Sequence, residues 1–418
     1  MDWSLEDVYK KHVRGNIPPR KHLRIIDEGH EQGEWGMTKK AGKQAGEGRD
    51  KDIKVSWEEA PVGTEQDFNF EANDLEQINN LPPQVKHRIN RLLGKKETVK
   101  DFTELFKDQI SGLPEKLENE FIETLIVSDD ITSAEIQALY TQIKDDTAFK
   151  WEKILRADDG QVFSYKDIFT DEAFKAYIAA KGVGVGGKQA GPGEAALAAL
   201  SRSVNQEGKG DININGSLIE LKEGDGRIGL ESANPSGKEI DDIFNKYLGD
   251  NWNQELKDLA NENLHMSKPG QTTLNIQGLW YLMKILEKAE SEGTIDGLRP
   301  GWQENLPMEL FSRFFTDNNI IKDLIYSINK KEIGNFTRDY IKGLFDNYKL
   351  SKAGKEGEWD ILLAINTTNP NTGGIAVVKT GENLANVKAK SSLPSIIKSG
   401  PAGSRDYTYA FSPYAPED

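Results

Sequence analysis

The chain has 418 residues, enough for roughly two to three domains, and its 37% hydrophobic and 29% charged content is polar enough that part of it is expected to stay extended. A formal net charge of −15 excludes the basic balance with which a duplex-DNA binder usually attracts phosphate, so any nucleic-acid contact falls to local basic patches. With no cysteine, disulfides and every Cys-ligated zinc site are excluded.

Residues 1–75 read as a flexible N-terminal arm. It opens on the acidic run Met-Asp-Trp-Ser-Leu-Glu-Asp, without an apolar core segment, so no secretory signal peptide is expected. Residues 10–24 hold six Lys/Arg, two His and no acid. Such a stretch suits a phosphate backbone or an acidic partner surface, and equally a solvated arm. His12, His22 and His30 lack metal-ligand spacing, and residues 29–48 are rich in Gly, Lys, Glu and Gln without an apolar period.

Residues 76–150 read as a helical region. Pro82-Pro83 marks a start, and Val85, Ile89, Leu92 and Leu93 follow at helical spacing. Phe102, Leu105 and Phe106 repeat the pattern, as do Phe121, Leu125 and Ile126, and Ser133 ahead of Glu135 and residues 136–143 suggests a capped helix. From 151 the texture changes: a helix over 172–181, a glycine-rich loop over 182–193, a helix over 192–202, a hairpin over 211–222 and a long helical stretch from about 240 to 348. Two strands are expected within 359–366 and 374–379, then a loop-rich tail with Gly403-Ser404-Arg405. The apolar run Ile361–Ile365 is far too short to span a bilayer, and no membrane partner is expected.

The hairpin carries the most information. Asn215-Gly216 is the strongest short signal for a two-residue type I′ turn, and that turn fixes register: Ile214 opposite Ser217, Asn213 opposite Leu218, Ile212 opposite Ile219, Asp211 opposite Glu220. Alternation then turns Ile212, Ile214, Ile219 and Leu221 to one face and Asp211, Glu220 and Lys222 to the other. Two carboxylates directly opposed on neighbouring strands repel, and neither is a favoured strand former. A hard divalent cation held by carboxylate oxygens would compensate. Lys222 can offset the acids, orient an attacking water or stabilise charge building on a phosphoryl group. The bland alternative is a polar hairpin face with a Glu220–Lys222 salt bridge.

Gly191-Pro192-Gly193-Glu194 opens the Ala/Leu run of residues 195–200 with proline at the first helical position and an acid in the first turn. Glu194 therefore either complements the helix dipole or supplies a third carboxylate to a metal. The preceding Gly182-Val-Gly-Val-Gly-Gly187-Lys188 looks like a phosphate-binding P-loop, but Gln189 stands where a hydroxyl is needed and a helix precedes the loop. Nucleotide hydrolysis is not expected there; Lys181 and Lys188 are candidates for DNA phosphate contacts.

Glu194 on a helix, then Gly210-Asp211, then Ile219-Glu220-Leu221-Lys222 after a short hairpin resembles the signature of the PD-(D/E)xK nucleases, the restriction-endonuclease-like superfamily. The likeness spans residues 191–222, and Gly210 replaces the proline that names the family. It implies an α/β fold with a restriction-endonuclease-like mixed β-sheet flanked by helices, a nuclease domain over 151–418 and a helical insertion at about 235–350. It also implies Mg²⁺, with Mn²⁺ as a substitute, on Asp211, Glu220, Glu194 and the backbone carbonyl of Leu221, with Lys222 completing a catalytic set that hydrolyses DNA phosphodiesters. Lys188, Arg227 and Arg405 are the DNA-binding candidates. A wider likeness takes in Gly226-Arg227 and the late Gly-Ser-Arg: the chain looks like large tailed-bacteriophage proteins often labelled virion structural proteins. That implies a phage protein acting in the cytoplasm of a bacterial host or carried in the particle, with DNA and other virion proteins as partners, the latter through the N-terminal arm. Two other classes stay open: a non-catalytic structural or assembly protein on a nuclease fold, and a module that grips DNA ends without cutting.

Overall fold

The computed structural model of the chain describes residues 83–109, 115–184, 191–205, 211–224, 226–229, 236–253, 256, 274–353, 359–368, 372–397 and 407–416. The N-terminal arm of residues 1–75 lies outside them, as do Lys188 and Arg405. Contacts divide the chain after Lys100. Before that point the described element is helix α1 (Pro83–Val99), on which Ile89, Leu92 and Val99 are buried.

The unit that begins at Asp101 opens with helices α2 (Phe102–Gln109), α3 (Glu115–Val127), α4 (Ser133–Lys144) and α5 (Trp151–Arg156). The cap of α4 is Thr132, one residue ahead of Ser133: its hydroxyl accepts from the Glu135 N–H at 3.3 Å while the Glu135 carboxylate accepts from the Thr132 N–H at 2.7 Å. Glu135 is the third helical residue, so only a cap at 132 closes both bonds. Strand β1 (Gln161–Phe163), the short α6 (Tyr165–Ile168) and helices α7 (Asp171–Val183) and α8 (Pro192–Leu200) follow. Helices α3 and α4 both pack on α7, and α3 also meets α8, so contacts cross the boundary expected near residue 150. Gly184, with φ +73°, ends α7 in the left-handed conformation that glycine tolerates best.

Strands β2 (Val204–Asn205), β3 (Ile212–Ile214), β4 (Ser217–Glu223) and β5 (Gly226–Ile228) come next. Then α9 (Gly237–Leu248), β6 (Leu274–Asn275), α10 (Ile276–Ser291), α11 (Trp302–Phe311), α12 (Asn318–Lys330) and α13 (Ile333–Ala353) form a helical block. The chain closes with β7 (Ile361–Ile365), β8 (Ile375–Val378), the one-turn α14 (Gly381–Leu384), β9 (Ala389–Ser392), β10 (Ser395–Ile397) and β11 (Tyr409–Pro413).

The result is a mixed α/β architecture around an open mixed sheet of order β1-β8-β7-β4-β3-β2. Strands β2, β3 and β4 form an antiparallel meander; β7 then pairs parallel to β4, Ile219 with Ile361 through Glu223 with Ile365. Every residue of β7 and β8 is buried, as their unbroken apolar runs require of strands covered on both faces. Helix α8 lies against β4 from one side. On the other, Leu218, Leu362, Ala364, Ala376 and Val378 join the core of the helical block, with Trp302, Phe311, Tyr340 and Trp359 among its largest members. Smaller sheets pair β5-β11-β9 and β10-β6. No helix among the described residues is long and apolar enough to cross a membrane.

Candidate active site

Asn215 and Gly216 both have positive φ, +51° and +92°, as a type I′ turn demands, and the hairpin pairs in the register the turn dictates from Ile214 with Ser217 to Ile212 with Ile219. The expected pair of Asp211 with Glu220 does not form: Asp211 precedes β3, and its N–H goes to the Ile219 carbonyl, which pulls it out of the ladder. The Asn213 side chain tightens the turn by accepting from the Gly216 N–H at 2.8 Å. Ile212, Ile214, Ile219 and Leu221 are all buried, the face expected from alternation.

The opposite face is more enclosed than a polar hairpin face would be. Glu220 has no solvent exposure. One of its oxygens accepts from both the Lys222 ammonium and the Tyr348 hydroxyl, each at 2.5 Å. Tyr348 projects from α13, the helix that leads to the parallel strand, and the Lys222 nitrogen stands 5.3 Å from the centre of its ring. Lys222 is itself mostly covered, its side chain 19% exposed. Asp211 lies across the strand pair: its N–H donates to the Ile219 carbonyl at 2.9 Å, and its carboxylate accepts from the Leu221 N–H at 2.8 Å.

Glu194 enters from the first turn of α8, where it accepts from the N–H of the cap residue Gly191, so its dipole-complementing role is real. It also senses the hairpin acids. Burial foremost, then the negative charge of Asp211 and to a lesser degree Glu220, pushes its carboxyl up to about 7; Gly191 and Lys222 pull the other way. Glu194, Asp211, Glu220 and Lys222 are therefore one electrostatic group. Among the described residues, though, no three Asp, Glu, His or Cys side chains are gathered as a ready-made metal cage.

A cleft of about 310 Å³ opens here, bordered by Gly191, Glu194, Leu221, Lys222, Glu223 and Arg227. Arg227 is exposed on β5, with one guanidinium nitrogen 3.4 Å from the Thr408 hydroxyl. Gly226 allows β5 to pass close to Lys222, because a β-carbon there would stand 2.9 Å from that of Lys222.

Two participants are not foreseen from sequence. Tyr348 has no local signal: in a long helical stretch it reads as one more core aromatic. Glu223, one residue past Lys222, turns to the Ile219–Leu221 face. There it accepts from the Tyr177 hydroxyl and the Gly193 N–H, and burial pushes its carboxyl up to about 7. The one hint was Gly193, whose missing side chain leaves room for that carboxylate.

The donor types are those a hard divalent cation takes, but the three carboxylates are linked here through their charge and are not drawn together around one point: Glu194 borders the cleft, and Lys222 offsets only part of the charge that Asp211 and Glu220 impose on it. No family model matches the chain, and no curated protein or solved structure is significantly similar to it.

Proposed function

We propose that the protein is a metal-dependent deoxyribonuclease of the PD-(D/E)xK kind, with Glu194, Asp211, Glu220 and Lys222 as its catalytic set. The observation that supports this reading is the grouping itself: Asp211, just ahead of β3, bonded to Ile219 and Leu221 on either side of Glu220, Lys222 bonded to Glu220, and Glu194 within their electrostatic reach from the start of α8. The chain order supports it too. A helix bearing an acid leads into a three-stranded meander, and a later helix leads into a strand parallel to the Glu-x-Lys strand.

In this reading Asp211, Glu220, Glu194 and the Leu221 carbonyl hold Mg²⁺ or Mn²⁺. When bound, the ion polarises a phosphoryl oxygen and lowers the pKa of a water. Lys222 orients that water or stabilises charge on the phosphoryl oxygens. Its ammonium is bound to Glu220 as it stands, so it is already held beside the acids rather than free to swing. Arg227, exposed at the rim of the cleft, supplies a phosphate contact. The wider likeness extends the proposal to a phage protein acting on DNA in a bacterial host or within the particle.

Cleavage of supercoiled and linear DNA with Mg²⁺ or Mn²⁺ tests it. Wild type should cut, EDTA should stop it, and Asp211→Ala and Lys222→Ala should each lower the rate by a factor of about 100 or more. No cutting of any DNA form, together with no Mn²⁺ uptake by calorimetry, would sink the proposal. One observation favours a second reading: Glu220 is fully buried and already bonded to Lys222 and Tyr348, as a purely architectural carboxylate would be. That negative result would shift the weight to a structural or assembly role on the same fold.

A further inference from the structure

Glu223 is the acid in the cleft for which the proposed chemistry has no use. Three elements meet at its carboxylate. It ends β4, one residue past Lys222; it accepts from the hydroxyl of Tyr177 on α7; and it accepts from the backbone N–H of Gly193, the second residue of α8. The approach to α8 is so close that a β-carbon at position 193 would overlap the carboxylate, while Gly193 itself is buried. Glu194 is the next residue along that turn. A carboxylate that grips the N–H of residue 193 therefore sets where the Glu194 side chain begins.

We infer that Glu223 is a positioning residue: it clamps the first turn of α8 to the end of β4 and so fixes Glu194 against Asp211 and Glu220. In its consequence for metal binding this rests on the nuclease reading, but the clamp itself does not. The N-terminal N–H groups of a helix have no intrahelical acceptor. Here the cap residue's N–H goes to Glu194 and the next one to Glu223. The two acids share the duty of holding the turn, one from within the helix and one from the sheet. A glutamine can do the same, its carbonyl accepting from Gly193 and its amide donating to the Tyr177 oxygen, whereas alanine can do neither.

Two measurements on the full chain test this. The first is backbone amide hydrogen exchange without metal. Glu223→Ala should raise exchange at residues 193–195 by about tenfold or more while leaving β3 and β4 unchanged, and Glu223→Gln should stay close to wild type. Unchanged exchange in the alanine variant, or an equal rise throughout the sheet, overturns the inference. The second is Mn²⁺ affinity by calorimetry in a double-mutant cycle with Glu194→Ala. Glu223→Ala should weaken binding by about tenfold when Glu194 is present and have no further effect once Glu194 is gone. An equal loss in both backgrounds means Glu223 does not act through Glu194, which overturns the inference. If the wild type takes up no Mn²⁺, the metal-site reading falls and the exchange result alone decides the clamp.

Discussion

Glu220 takes two donors on one oxygen while wholly out of solvent, and those donors differ in kind. Tyr348 supplies a neutral hydroxyl; Lys222 supplies the opposite charge. Losing a hydrogen bond to a buried carboxylate costs about 1–3 kcal/mol, whereas removing the cation from a buried ion pair costs about 3–5 kcal/mol. Tyr348→Phe should therefore lower the urea midpoint modestly and Lys222→Met more strongly. Adding Glu220→Gln to Lys222→Met should recover most of the loss. A Lys222→Met protein as stable as Tyr348→Phe would contradict the ion-pair assignment. The Glu220–Lys222 contact is legible in sequence because strand alternation is a local rule, whereas the place of Asp211, whose N–H turns to Ile219, departs from the register the turn predicts. Tyr348 is not legible, since its bond to Glu220 joins residues 128 positions apart.

Among the elements, the hairpin turn sets which side chains oppose which. A β-carbon at Gly216 would meet open space, so a substitution there is penalised through its φ of +92° alone. Gly216→Val should cost about 1–2 kcal/mol, read from the denaturation midpoint. Because the same turn sets the β3–β4 register beside which Asp211 and Glu220 lie, Mn²⁺ binding should weaken with it. An unchanged midpoint would show that the turn tolerates a branched residue and does not fix the register. The pattern-rich elements are those the sequence reveals: the hairpin, helices α7 and α8, and the apolar strands β7 and β8. Strands β5, β9, β10 and β11 escape notice for a physical reason. They are three to five residues long, and β9, Ala-Lys-Ser-Ser, is largely exposed and carries no apolar alternation. Their pairing is decided by neighbours distant in sequence.

For the molecule as a whole, the two carboxyls raised to about 7, Glu194 and Glu223, set a pH dependence. Both have an ordinary value of 4.5, so between about 4.5 and 7 the folded state holds protons that the unfolded chain has released. Their contribution to stability is complete below 4.5 and is lost as pH rises through 7. Without divalent cations the thermal midpoint should fall between pH 5.5 and 8, by a free energy on the order of a few kcal/mol. Glu194→Gln and Glu223→Gln should each flatten that slope. Mg²⁺ should raise the midpoint most at pH 8, where Glu194 is ionised, through binding to the folded state alone. A midpoint that rises with pH over this interval would contradict both assignments. Where helices α3 and α4 dock is likewise a property of the whole. Their amphipathic patterns announce helices, but nothing in them says which surface they cover.

The parallel pairing of β4 with β7 also governs the order of events in synthesis. Leu218 donates to Asp360 across 142 residues of chain, next to the point where β7 joins β4. A growing chain therefore presents β4, with Glu220 and Lys222 in place, long before its partner strand leaves the ribosome. Until then one edge of the meander has unsatisfied N–H and C=O groups, a template on which another incomplete chain can pair. Closing the sheet must also wait for the helical block to bring the two strands together, which puts this step among the slow ones in folding. Chains halted within that block carry β4, with Glu220 and Lys222, as an open edge, and they should be the species that aggregates first.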